Sequence, residues 1–129
     1  MAIETALVFD KEGDVLAWHL PEGRTSCYIP DTRSLWNCLW DNREHLGGVA
    51  HTHPWSGEAW PSETDRTTFQ SIERALGQTP YWVICTVTDT KVFQSKTPGG
   101  ELEEVDIPLA FTWEEELVIE SFSALGGSH

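Results

Sequence analysis

The sequence predicts one α/β or α+β domain in which a single mixed β-sheet is flanked by helices. Three observations support this. Short runs rich in β-branched and aromatic residues, bounded by Gly, Pro and Asp, alternate with segments whose apolar residues recur at helical spacing. The length of 129 residues suits a single domain, and 30 Leu, Ile, Val and Phe with seven Trp are enough for a real core. The longest apolar run, Tyr81 to Cys85, is far below the roughly 18 residues that cross a bilayer. No internal repeat or low-complexity segment interrupts the pattern.

Taken in order, Thr5 to Phe9 and Val15 to Leu20 read as a hairpin around the acidic, Gly13-containing turn Asp10 to Asp14. Cys27-Tyr28-Ile29 reads as a third short strand stopped by Pro30. From Asp31 the period changes: Leu35, Trp36, Leu39, Trp40 and Leu46 predict an amphipathic helix of roughly 13 residues, capped by Asp31 or Thr32 and ended by Gly47-Gly48. Val49 to His53 reads as a strand stopped by Pro54, and Trp55 to Pro61 as a loop. Ser62 opens a second helix with Phe69, Ile72, Glu73 and Leu76 on one stripe and Gly77 at its end. Tyr81 to Val87 and Lys91 to Gln94 form a second hairpin around Thr88-Asp89-Thr90, and Leu102 to Ile107 an edge strand. Thr112-Trp113-Glu114-Glu115 is a capping-box start for a last helix carrying Trp113, Leu117 and Phe122. The domain is expected to span residues 1–125, with Gly126 to His129 a tail or cloning scar.

Charge narrows the partners. Eight basic against 21 acidic residues give a net charge of −13, which repels phosphate backbones and anionic lipid, so neither nucleic acid nor a membrane is expected. Met1 to Glu4 has no basic or apolar leader character, and a cytoplasmic protein is expected. Cys27, Cys38 and Cys85 match neither a disulfide framework nor a CxxC spacing, and read as buried thiols in a reducing compartment.

The chemistry concentrates in His51-Thr52-His53-Pro54 and Ser62-Glu63-Thr64-Asp65. Side chains at i and i+2 of a strand share a face, so His51 and His53 can offer two imidazoles to one ion. Asp65, at the start of the next helix, becomes a third ligand if the loop folds back. Two His and one carboxylate leave a fourth tetrahedral position to water, the arrangement of a catalytic and not a structural zinc site. Ser62 and Asp65 also read as an S-x-x-D capping box, a role compatible with the first. Trp55 and Trp60 flank this region and read either as a platform for a substrate tail or as packing that holds the loop. His45 reads as a residue at a helix C-terminus and His19 as a strand residue.

The ordered string HxHP, short loop, SxxD resembles the JAMM metalloprotease family, also called MPN+ or JAB domains, in its compact prokaryotic form. Its pattern is a distant glutamate, then H-[ST]-H-P, then S-x-x-D. The resemblance follows most of the chain in order of elements. Two features depart from it: the loop Pro54 to Pro61 is one residue longer than is common in the family, and the helix that often precedes the first strand is missing. The resemblance implies the JAB1/MPN fold, a cytidine-deaminase-like architecture. It further implies one Zn2+ per chain held by His51, His53 and Asp65. Glu4, at the head of the first strand, would act as acid/base and Ser62 as a hydrogen-bond donor to the oxyanion. Glu12, Glu22 and Glu58 are alternative bases. The implied activity is a zinc-dependent peptidase or isopeptidase acting on an amide bond of a protein or peptide, at the C-terminal tail of a ubiquitin-like or sulfur-carrier protein. Two alternatives share the fold: a RadC-like domain linked to DNA repair, against which Thr52 and the negative charge speak, and a non-catalytic MPN-type scaffold, which usually loses ligands that are all present here. The zincin motif H-E-x-x-H and the deaminase P-C-x-x-C are absent from the sequence.

Overall fold

The computed structural model describes residues 6–19, 32–53, 57–86 and 88–106. Within them the order is β1 (Ala6–Asp10), β2 (Val15–His19), α1 (Thr32–Asp41), β3 (Leu46–Thr52), α2 (Glu63–Leu76), β4 (Tyr81–Cys85), β5 (Thr90–Ser95) and β6 (Leu102–Val105). The predicted strand at Cys27, the helix from Thr112, the tail and the residues Glu4, Glu22 and Trp55 lie outside the described residues. The fold is α+β: one six-stranded sheet of order β2-β1-β3-β4-β5-β6, mixed because β3 and β4 are parallel while every other neighbour is antiparallel. Parallel neighbours need a crossover, and α2 supplies it. No helix among the described residues is long and apolar enough to cross a membrane.

Both faces of the central strands are apolar, so the period-2 alternation divides each strand between two cores. Val8, Val49, Trp82, Ile84 and Phe93 pack with Leu39 of α1 and Phe69 and Leu76 of α2. Leu7, Phe9, Ala50, Val83, Cys85 and Val92 form the cluster on the other face. His51 follows Val49 by two residues and therefore faces α2, where its ring meets Phe69 at a centroid distance of 5.6 Å.

The first helix is shorter than its sequence pattern suggests. It ends at Asp41, and Leu46, read as part of its stripe, instead opens β3. Gly47 and Gly48 are not a helix stop but the start of that strand, at points of close backbone approach: a Cβ on Gly47 would stand 2.1 Å from the Asp10 carbonyl oxygen, and one on Gly48 2.2 Å from that of Tyr81. His45 accordingly lies in the turn after α1 and not at its C-terminus, its carbonyl accepting the Lys11 N–H. α2 keeps both predicted ends. Ser62 is its N-cap, and Gly77, at φ 69°, sits in the left-handed region that glycine adopts without Cβ strain. Cys85 is buried and Cys38 half-buried, and burial pushes the Cys38 thiol up.

Candidate metal centre

Three elements converge at one end of the parallel pair. β3 carries His51, and its extension carries His53, whose N–H still bonds the Cys85 carbonyl of β4 at 2.8 Å. The ladder therefore holds the chain straight for one residue past the strand, and both imidazoles stay on the α2 side. α2 begins opposite them in a reciprocal cap: Ser62 Oγ accepts the Asp65 N–H at 3.0 Å, and Asp65 Oδ2 accepts the Ser62 N–H at 2.9 Å. A cap of this kind contributes about 0.5–2 kcal/mol and also locks the Asp65 rotamer.

The locked carboxylate points at the imidazoles. Asp65 Oδ2 lies 2.9 Å from His53 Nε2 and 3.5 Å from His51 Nε2, and the two Nε2 atoms lie 3.1 Å apart. A tetrahedral ion with bonds of about 2.0–2.1 Å sets its ligand atoms about 3.3–3.4 Å apart, so the observed triangle has the right size. Its chemistry also fits. If both imidazoles donate to Asp65 Oδ2, the two nitrogens 3.1 Å apart face each other proton to proton, so the three contacts cannot all be hydrogen bonds at once. A cation there satisfies all three. Two imidazoles and a carboxylate form a donor set shared by open zinc sites and by Fe(II) facial triads, and this group is able to hold one metal ion.

Burial supports the same reading. The side chains of His53, His51 and Asp65 are 3%, 13% and 17% exposed, so the triangle is shielded yet open on one side. Burial opposes ionisation of Asp65, but hydrogen bonds with His51 and His53 and from the Ser62 N–H outweigh it and hold the carboxyl well below the usual carboxylate range. The carboxylate is thus an anion, ready to bind a cation, throughout the neutral range.

Of the predicted site residues, the structure brings His51, His53, Asp65 and Ser62 together. Ala6 of β1 pairs with His51 of β3, and Glu4 lies outside the described residues. Glu12 belongs to the turn at the far end of that strand, and its own N–H bonds Asp10. Glu58 is turned to Trp60, accepting its indole N–H at 2.7 Å. Trp60 is 46% exposed, with the Lys91 ammonium 4.9 Å from its ring centroid and Phe93 at 5.9 Å, so it is a loop-edge residue with one open face.

Sequence reasoning missed the clamp on the loop. Asp89 Oδ2 accepts the Ala59 N–H at 2.9 Å, Thr88 Oγ1 accepts the Gly57 N–H at 3.0 Å, and the Thr86 hydroxyl donates to the Gly57 carbonyl at 2.6 Å. The turn between β4 and β5 therefore holds the segment leading into α2. Thr88-Asp89-Thr90 carries only a turn signal in the sequence, and nothing local to it points 30 residues back. No protein-family model matches this chain, and a search of curated proteins likewise finds no match.

Proposed function

We propose that the chain is a zinc-dependent hydrolase of amide bonds, a peptidase or isopeptidase of the JAMM/MPN+ kind with the JAB1/MPN fold. The observation that carries this reading is the triangle of His51 Nε2, His53 Nε2 and Asp65 Oδ2. The order HTHP, loop, SxxD supports it, as do the three separations, which suit an ion with a fourth position left open. The substrate is a protein or peptide, and the tail of a ubiquitin-like or sulfur-carrier protein is the class we favour. A net charge of −13 favours a basic partner face over nucleic acid.

When bound, zinc supplies Lewis acidity toward an amide carbonyl. The chain's own residues do the rest. Asp65 keeps its charge and its orientation through the cap. Ser62 uses its oxygen as acceptor in that cap, so its hydroxyl proton remains to be donated to the oxyanion that develops on the substrate carbonyl. Glu4, two residues before Ala6 in sequence, takes the proton of the attacking water and returns it to the leaving amine.

Elemental analysis of zinc-reloaded protein tests the reading, with His51→Ala and Asp65→Ala beside the wild type. One zinc per chain, lost in both variants, together with cleavage of a ubiquitin-like tail fusion, is the expected result. A wild type that takes up no zinc refutes it.

A further inference from the structure

Beside the triangle lies a cavity of about 260 Å3, between the two helices and the sheet. Its walls are Leu35 and Leu39 of α1, Val49 of β3, Phe69 and Ile72 of α2, and Trp82 of β4. Phe69 and Trp82, both lining it, stack on one another with ring centroids 4.1 Å apart and planes 9° apart. The only polar atom of the indole is withdrawn from the cavity, because Trp82 Nε1 donates to Glu73 at 2.8 Å. Polar groups enter at the ligand end, where His51 and Asp65 line the same space, and at the rim, where Thr68 is exposed.

We propose that this cavity is a specificity pocket that seats a bulky apolar side chain, of phenylalanine or leucine size, next to the bond acted on at His51, His53 and Asp65. The inference rests on the hydrolase reading above and adds the substrate class to it. Size and chemistry carry it. An apolar cavity of about 150 Å3 lined by Leu, Ile and Phe binds benzene, so this one has room for a phenyl ring and its methylene. Apolar walls with a few polar groups converging at one end are the common form of a ligand pocket. Because two metal ligands line the cavity, whatever fills it is held against the reacting group.

The test uses the full chain and methyl-resolved NMR. In metal-free protein with chelator, toluene is expected to shift the methyl groups of Leu35, Leu39, Val49 and Ile72 selectively. In zinc-loaded protein, 3-phenylpropanohydroxamate is expected to bind at least tenfold more tightly than acetohydroxamate, the gain that burying a phenyl ring brings. Thr68→Trp places an indole over the rim from an exposed helix position. It should remove that preference while zinc content stays at the wild-type level. Equal binding of the two hydroxamates to zinc-loaded wild type overturns the pocket and leaves the hydrolase reading standing. A wild type that takes up no zinc but still shows the selective toluene shifts overturns the hydrolase reading, and with it the pocket's role in substrate choice.

Discussion

Two carboxylates on α2 live in opposite surroundings. Glu73, near the C-terminal end, is fully buried and surrounded by donors: Trp82 Nε1–H at 2.8 Å and the Ser95 hydroxyl at 3.0 Å on one oxygen, and the Gly99 N–H at 3.0 Å on the other. Asp65, in the first turn, is partly open to solvent and faces two imidazole nitrogens that converge with it on one point. The difference separates a structural acid from a candidate metal ligand. A carboxylate whose oxygens are met by N–H and O–H groups is complete, and it ties a helix to β4, β5 and the turn after β5. A carboxylate met by atoms that also carry lone pairs is completed by a cation.

The largest test of that contrast is Glu73→Ala. It strands two buried donors and the half-buried Gly99 N–H, each costing about 1–3 kcal/mol, so a loss of about 3 kcal/mol is expected in urea unfolding. Zinc bound per folded molecule should not change. A cost below about 1 kcal/mol would mean that Glu73 is not the anchor its contacts describe. Next comes Ser62→Ala, which should reduce hydrolysis on the order of 10² to 10³ while zinc content stays at one per chain. Loss of zinc in this variant would assign Ser62 to holding Asp65 alone.

Asp65→Ala sharpens the comparison from the other side. In metal-free protein it removes the cap acceptor and the contacts with His51 and His53 at a carboxylate partly open to water, so denaturant unfolding should register about 2 kcal/mol, below the Glu73 effect. A loss as large as that of Glu73 would erase the distinction between the two.

Asp89 is the third case, an acid near the surface whose carboxyl is held below its ordinary value by the Ala59 N–H and by Lys91. A lowered folded value means that ionised Asp89 stabilises the fold above the unfolded carboxylate value of about 4, and that this contribution fades as pH falls. Asp89→Ala should therefore cost less than about 1 kcal/mol at pH 7, and the gap from wild type should narrow by pH 3. Protease nicking within residues 57–61 offers a second readout, expected to rise in the variant.

What was legible in the sequence follows the range of each interaction. The caps of α2, Ser62 and Gly77, act within one turn and can be read directly, as can both hairpins and the shared face of His51 and His53. Leu46 was misread because its spacing from Leu39 fits a helix, while the contacts that make it a strand residue come from Asp10 across the sheet. Glu73 fits a helical stripe whether or not it is anchored, and its three donors sit 9, 22 and 26 residues away. The clamp of Thr86, Thr88 and Asp89 on the loop is hidden for the same reason.

The independent placement of the two ligand-bearing ends has a consequence for how this region tolerates insertion. His51 and His53 are positioned by hydrogen bonding to β4, and Asp65 by its own cap, so neither depends on the length of chain between them. Closure entropy rises only slowly with length, about 0.6 kcal/mol for each doubling, and one additional residue between Pro54 and Pro61 adds a small fraction of that. The ligand triangle and the loop can therefore diverge separately. Loop variants selected for new partners would inherit the triangle of His51, His53 and Asp65 already in place.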